Sequence, residues 1–263
     1  MDFNFRTDFK DLYKPDDRFY AKYEPIVSST LDVFSHEILF RLNNKDNSHV
    51  AYLEKLRNID KTFFVFCMIC RRAFEDQLFT GNQININLDL QDLLNPNFFT
   101  FLDGLHSEIL IDPTKINFEI LENYEINEDN MFHIVSRINS LSRRGFNISI
   151  DDLFSGYSSK QRIDFLLGKK VNLSMVKIDG KFLQKLYLGY KYGYRFTNQS
   201  KDLPDFRDLE NYISEWKSSG IIIVGEWIET DEMLDFVKKL GIEYFQGYLF
   251  QNFKSEKIYR LEI

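Results

Sequence analysis

The chain alternates short runs of β-branched and apolar residues with longer segments whose apolar residues recur every three to four positions. The first pattern is typical of buried parallel strands, and the second of helices that cover them. Because parallel neighbours need a crossover between them, this alternation restricts the chain to an α/β architecture. The eight predicted strands cover residues 21–27, 34–42, 83–88, 115–121, 147–151, 175–178, 221–225 and 243–245. The predicted helices cover residues 59–79, 128–144, 158–167, 204–219 and 231–240.

Eight strands with interleaved helices predict a (β/α)8 barrel of the TIM type. The first two strands are separated only by residues 28–33, which is too short for a parallel crossover, so we expect a barrel modified by one antiparallel strand. A chain of 263 residues can bury one sizeable core, and we treat residues 1–263 as a single domain. Within it, residues 1–19 are interpreted as an N-terminal extension and residues 186–202, rich in Tyr, Gly and Lys, as an inserted loop.

Composition excludes several classes of function. The formal net charge of −7 argues against DNA or RNA as a partner, because non-specific binding to phosphates depends on clustered Lys and Arg. The chain has no uninterrupted apolar run of the roughly 18 residues that a membrane span needs, and its start does not resemble a signal peptide, so we expect a cytoplasmic protein without a membrane partner. Cys67 and Cys70 form a C-x-x-C inside a strongly apolar predicted helix, which favours a structural role over redox chemistry.

Polar residues recur at the carboxyl ends of the predicted strands, where barrel enzymes place their sites. They are Glu37, Asn87, Glu119, Asp151, Asp152, Lys177, Glu226 and Gln246. Carboxylate and amide oxygens without His or Cys suit hard cations such as Mg²⁺ or Mn²⁺, and two such ions about 3.5–4 Å apart can clamp a phosphodiester. Any one of these acidic residues could equally cap a helix or face water, and Lys177 could belong to a structural ion pair. Their recurrence on successive strands favours chemistry.

The chain contains eight short motifs in a recognisable order. They read YEPIV (23–27), EILFR (37–41), INLD (86–89), FEILE (118–122), DDLFSGYSS (151–159), VKID (176–179), GEWIET (225–230) and QGYLF (246–250). In these motifs the chain resembles the EAL family of cyclic-di-GMP phosphodiesterases over nearly its whole length. The resemblance implies that two Mg²⁺ or Mn²⁺ ions are bound, that c-di-GMP is opened to linear pGpG, and that the protein is a homodimer.

The resemblance also implies roles for individual residues. The implied metal ligands are Glu37, Asn87, Glu119, Asp151 and, for the second ion, Asp152. The implied catalytic residues are Glu37, Lys177 and Glu226, the last two holding or activating the attacking water. Substrate binding is implied for Leu39, Arg41 and Gln246, and a supporting role for Glu122, which holds the loop after Asp152, and for Glu229.

Several positions depart from the family pattern. Ile38, in place of the usual alanine, points away from Glu37 and should be tolerated, and the difference at Asn252 and Phe253 is minor. Three others bear on the site. Glu24 replaces a usual glutamine and adds negative charge near an anionic substrate, while Phe154 and Trp227 stand where the family usually has glycine. Glycine at such positions supplies freedom of φ or close approach, and a bulky aromatic residue supplies neither. We expect Phe154 and Trp227 to pack on each other, to stack on a guanine, or to block closure of the loops.

These residues are consistent with three functions to different degrees. An active metal-dependent phosphodiesterase is favoured because every ligand-type residue of the family pattern is present. A catalytically impaired receptor for c-di-GMP, or a regulator that binds another protein, is suggested by Phe154, Trp227 and the extra length around residues 167–172 and 187–196. A barrel glycosidase that uses two carboxylates would have no need of Asn87, Lys177 and Gln246 at the strand ends.

Overall fold

A computed structural model describes residues 18–43, 49–58, 61–193, 203–251 and 258–261 of the chain. The eight predicted strands are confirmed, and a short ninth strand was missed. The strands are β1 (Arg18–Ser28), β2 (Val33–Asn43), β3 (Ile84–Leu88), β4 (Ile116–Ile120), β5 (Asn147–Leu153), β6 (Met175–Ile178), β7 (Ile222–Gly225), β8 (Tyr244–Phe245) and β9 (Ile258–Arg260). Because β1 begins at Arg18, the last two residues of the predicted N-terminal extension belong to the barrel, and residues 1–17 lie outside the described part.

The strands form a closed ring. From β2 to β8 each strand pairs in parallel with the next, and β1 closes the ring by pairing antiparallel with both β2 and β8. Strand β9 pairs with β1 beside the ring. The fold is therefore the modified TIM-like barrel with one antiparallel strand that the short connection between the first two strands predicts.

Helices cover the outside of the ring. They are α1 (His49–Asn58), α2 (Phe63–Thr80), α3 (Leu90–Leu94), α4 (Phe98–Glu108), α5 (Met131–Arg143), α6 (Lys160–Gly168), α7 (Gly180–Tyr192), α8 (Phe206–Ser218) and α9 (Asp231–Lys239). The predicted helices correspond to α2, α5, α6, α8 and α9, so α1, α3, α4 and α7 were missed. Among the described residues, no helix is both long and apolar enough to cross a membrane.

Helix α7 corrects the predicted inserted loop. Residues 186–192 continue this helix, and residues 194–202 lie outside the described part. The carboxylate of Asp179 caps the helix by accepting a hydrogen bond from the backbone N–H of Phe182 at 2.7 Å, and Phe182 and Leu183 form the buried side of the helix. Burial of this apolar side outweighs the turn-like composition, and the helix ends only at Gly193, whose φ of 69° is left-handed.

Alternation along the strands separates an apolar outer face of the ring from a polar interior. On β4, Phe118 joins the core beneath the helices, whereas Asn117 and Glu119 are fully buried inside the barrel. Below the site, Asn117 Nδ2 donates to Ser149 Oγ at 2.9 Å and to Asn85 Oδ1 at 3.3 Å. These buried side chains satisfy one another's hydrogen-bonding groups, and they lie directly below the acidic residues at the carboxyl ends of the strands.

The C-x-x-C motif lies within α2, as predicted. Cys67 and Cys70 are free and buried, and burial raises the pKa of both thiols well above its ordinary value. A thiol must ionise to act as a nucleophile, so these properties support the structural interpretation.

Candidate metal centre

A single lysine lies at the centre of the acidic residues. Lys177 is on β6, and its side chain is 1% exposed. Its Nζ atom lies 3.0 Å from Glu37 Oε2, 3.1 Å from Glu119 Oε2, 2.9 Å from Asp151 Oδ1 and 2.8 Å from Glu226 Oε1. The barrel thus brings together carboxylates from β2, β4, β5 and the end of β7 that are far apart in the sequence.

One ammonium group does not neutralise four buried carboxylates. Burial alone lowers the pKa of Lys177, but the surrounding carboxylates outweigh burial and raise this pKa well above its ordinary value. Burial and repulsion between carboxylates likewise raise the pKa of Glu119 and Glu226 well above the ordinary value, and that of Asp151 to about 6. The pKa of Glu37 is lowered, because its ion pair and hydrogen bonds outweigh burial. One ammonium group is thus too little positive charge to keep all four carboxylates ionised, and a bound cation would favour their ionised forms.

Amide groups from two further strand ends orient Glu37. Asn87 Nδ2 donates to Glu37 Oε1 at 2.8 Å, and Gln246 Nε2 donates to Glu37 Oε2 at 2.7 Å. Within the described residues, the amide oxygens of Asn87 and Gln246 are buried and accept no hydrogen bond, and the same holds for Glu119 Oε1 and Glu226 Oε2. Buried polar atoms normally have partners. Four oxygen acceptors without donors fit a hard divalent cation.

Asp152 joins the centre because β5 is irregular at this point. In a regular strand, consecutive side chains point to opposite faces, so Asp151 and Asp152 would diverge. The register of β5 against β6 shifts between Ile150 and Leu153, and Asp152 has a left-handed φ of 45°. As a result, carboxylate oxygens of Asp151, Asp152 and Glu122 all lie within 4.8 Å of one another. This group of three carboxylates is a second place that could hold an ion.

Glu122 also holds the loop that follows β5. Its backbone oxygen accepts a hydrogen bond from the backbone N–H of Tyr157 at 2.9 Å. The neighbouring Gly156 has a φ of 49°, and a Cβ at that position would lie 2.8 Å from Glu122 Cγ. The loop can approach Glu122 this closely only because residue 156 is glycine.

A cavity of about 150 Å³ opens beside Asn87 and is lined by two of the predicted substrate residues, Leu39 and Arg41. The guanidinium of Arg41 lies 3.4 Å from Glu24 Oε1, so the departure at position 24 reaches this arginine. Arg57 of α1 also lines the cavity. Sequence reasoning missed this second cation, because α1 was not predicted and no motif marks the residue.

Phe154 and Trp227 adopt the backbone conformation that glycine usually supplies. Their φ values are 75° and 55°. Among the described ring contacts the two aromatic residues do not pack on each other; Phe154 lies 4.6 Å from Phe182, between ring centroids, and Trp227 lies against Gly180. Both loops therefore rest on the first turn of α7. Glu229, predicted as a supporting residue, is exposed, unlike the buried Glu226.

Fold and site together define a modified TIM-like barrel with an acidic, oxygen-only centre at the carboxyl ends of its strands. A family model described as the EAL domain matches residues 12–252. The chain belongs to the EAL domain family, which argues against the barrel glycosidase.

Known proteins similar to the chain include the cyclic di-GMP phosphodiesterase PdeF of Escherichia coli strain K12, which is 25% identical over 240 residues. The alignment covers 88% of the chain but only 29% of PdeF. A crystal structure of an EAL domain protein from Listeria monocytogenes has a TM-score of 0.71 at 20% identity, covering 99% of the chain and 95% of that structure. A manganese and cyclic-di-GMP complex of Klebsiella pneumoniae BlrP1 has a TM-score of 0.70 at 20% identity, covering 94% of the chain and 57% of BlrP1. These two structures support the fold.

Proposed function

We propose that the chain is a divalent-metal-dependent phosphodiesterase that opens one phosphodiester bond of c-di-GMP to give linear pGpG. The observation that carries this proposal is the arrangement of four carboxylates around Lys177. The activity in the name of PdeF, to which the chain is similar, supplies the substrate.

The donor set fits the metal that this reaction needs. Glu37, Asn87, Glu119 and Asp151 would hold one ion, and Asp152 with Glu122 would contribute to a second. The unpartnered oxygens of Asn87 and Glu119 support this assignment, since each is buried and accepts no hydrogen bond from the described residues. A bound Mg²⁺ or Mn²⁺ lowers the pKa of water and neutralises charge that develops on the phosphate.

The residues of the chain would position the attacking water and receive its proton. The three N–H groups of Lys177 donate to Glu37, Glu119 and Asp151, and one of them would turn to the water when these carboxylates bind metal. The unpartnered Glu226 Oε2 would accept the water's proton. The water oxygen bonds to phosphorus as the bond from phosphorus to the ribose O3′ breaks, and the departing oxygen is protonated. The product is the linear dinucleotide with a 5′-phosphate.

The cavity beside Asn87 would take part of the substrate. Arg41 would contact a phosphate, as the motif resemblance implies, and Leu39 lines the same cavity. Gln246 stays at the centre itself, where its amide group orients Glu37. The substrate would therefore span from the cavity to the acidic centre.

A c-di-GMP receptor without turnover is the second candidate. Phe154 and Trp227 favour it, because these two bulky residues, both with a left-handed backbone, stand in the loops that follow Asp152 and Glu226. If these loops do not close, the chain would bind the dinucleotide without hydrolysing it.

The test is hydrolysis of c-di-GMP by purified protein with Mg²⁺, with Mn²⁺ and with EDTA, the products being separated by chromatography. Glu37→Gln keeps the size of the side chain but removes its charge, and Glu210→Gln, an exposed residue of α8, is the matched control. We expect pGpG from the wild-type protein and from Glu210→Gln, and none from Glu37→Gln or in EDTA. Binding without turnover in the wild type would favour the receptor, and neither binding nor turnover would reject both functions. The homodimer and the cytoplasmic location stay predictions.

A further inference from the structure

Trp227 is exposed at the mouth of the barrel, directly after Glu226. Its side chain is 51% exposed, whereas Trp216, the other tryptophan of the chain, is buried. Glu226 lies 2.8 Å from Lys177 Nζ, and consecutive Cα atoms are about 3.8 Å apart. The backbone of Trp227 therefore lies at the edge of the centre that would hold the reacting phosphodiester.

Helix α7 holds the indole in place. A Cβ atom on Gly180 would lie 2.2 Å from both Cβ and Cγ of Trp227, so only glycine fits beneath this side chain. The backbone of Trp227 is left-handed, with a φ of 55°. Bulky residues keep such a conformation only where their surroundings enforce it, and residues of this kind cluster at ligand sites.

Lys181 adds positive charge beside the ring. Its Nζ lies 5.4 Å from the centroid of the Trp227 ring. The contact of a lysine with an exposed ring is worth about two- to fivefold in an equilibrium constant. A base stacked on an aromatic ring is worth about 5- to 150-fold in the binding constant of the nucleotide. A nucleobase can therefore displace the lysine from the ring and leave the ammonium group free to approach a phosphate. A nucleotide supplies both partners.

We propose that Trp227 is a base-stacking residue that binds one guanine of the substrate, with Lys181 as the accompanying cation. This inference rests on the proposed function, since the base enters with the phosphodiester that the acidic centre would cleave. Trp227 would therefore affect KM, through substrate binding, and would not affect the chemical step.

Kinetic constants for c-di-GMP test the proposal. Trp227→Leu keeps an apolar side chain in the same left-handed backbone but offers no ring, and we expect KM to rise about 10-fold with kcat within twofold. Trp227→Phe keeps a smaller ring and should raise KM by less than threefold. Gly180→Ala removes the space beneath the indole and should raise KM like Trp227→Leu, while Gly104→Ala, where a Cβ has free space, should not. A KM for Trp227→Leu within twofold of the wild type would overturn the proposal.

Tryptophan fluorescence tests the same contact without relying on turnover. In Trp216→Phe the only indole is that of Trp227, and rapid mixing with c-di-GMP should quench it saturably. In Trp227→Phe the remaining indole is buried in α8, and we expect no quenching. Hydrolysis without quenching in Trp216→Phe would reject the stacking role and keep the phosphodiesterase, whereas quenching without hydrolysis would reject the activity and keep the contact. Absence of both would reject both.

Discussion

At the scale of single residues, the centre depends most on Lys177. Lys177→Met has a similar volume but leaves four buried carboxylates facing one another. Removing one partner of a buried ion pair costs about 3–5 kcal/mol, so we expect a loss of stability of this size in EDTA, together with loss of hydrolysis. Mn²⁺ should restore more stability to this variant than it adds to the wild type, because the ion replaces the missing positive charge. Thermal unfolding is the measurement.

Lys55→Met is the matched control for this variant, because Lys55 is exposed on α1. Its midpoint of unfolding should stay close to that of the wild type, since surface substitutions usually change stability by about 0.5 kcal/mol or less. An unchanged midpoint for Lys177→Met in EDTA would contradict the central role of the lysine.

Glu24 acts on the arginine that we assign to the substrate. Its Oε1 atom lies 3.4 Å from Arg41 Nη2 and 3.1 Å from Lys22 Nζ. Glu24→Gln removes the negative charge and leaves Arg41 free for a phosphate, so KM should fall about two- to fivefold, as expected for a partly exposed ion pair worth up to about 1 kcal/mol. Steady-state kinetics would measure this, with Glu54→Gln, an exposed residue of α1, as control. An increase in KM would show instead that Glu24 is needed to orient Arg41.

At the scale of elements, the loop after β5 is fastened to Glu122 through Gly156. Gly156→Ala would add a Cβ 2.9 Å from the backbone oxygen of Glu122, in a left-handed conformation that by itself costs about 1–2 kcal/mol. The loop should shift with Asp152, so we expect a lower midpoint of unfolding and a higher Mn²⁺ concentration for half-maximal activity. Gly168→Ala in α6, where a Cβ meets nothing within 4 Å, should leave both quantities unchanged or improve stability. Equal behaviour of the two variants would contradict the role of Gly156 in holding the loop against Glu122.

The elements also show what the sequence can predict here. Buried strands read clearly, because both faces of a parallel strand are covered, and the order of polar residues at their ends identifies the centre. Helix α7 was missed because its Tyr- and Gly-rich composition resembles a loop, whereas burial of Phe182 and Leu183 favours a helix. Regular strand geometry does not predict the convergence of Asp151 and Asp152, because it depends on an irregular register between β5 and β6. Arg57 was missed for a similar reason, since only tertiary packing brings α1 to the cavity.

At the scale of the whole molecule, the buried carboxyls around Lys177 couple stability to pH and metal. A carboxyl whose pKa is raised in the folded protein holds a proton that the unfolded chain releases, so folding stability falls as pH rises through the raised pKa. The pKa of Asp151 is raised from 3.8 to about 6, chiefly by burial, and those of Glu119 and Glu226 are raised well above their ordinary value. Folding stability therefore falls below pH 6 as Asp151 ionises, and it continues to fall above pH 6 as Glu119 and Glu226 ionise.

We accordingly expect the metal-free protein to be less stable at pH 8 than at pH 6. Each group contributes at most about 1.4 kcal/mol per pH unit, and each kcal/mol lowers the midpoint of unfolding by about 2–4 °C in a domain of this size. Metal binding requires the deprotonated carboxylates, so with saturating Mn²⁺ the trend should reverse and stability should rise from pH 6 to pH 8. Thermal unfolding in EDTA and in Mn²⁺ at both pH values measures the two slopes, and Glu119→Gln, which removes a carboxyl whose pKa is raised well above its ordinary value, should flatten the slope in EDTA. A metal-free protein that is more stable at pH 8 would mean that the pKa values of the carboxyls around Lys177 are not raised by folding.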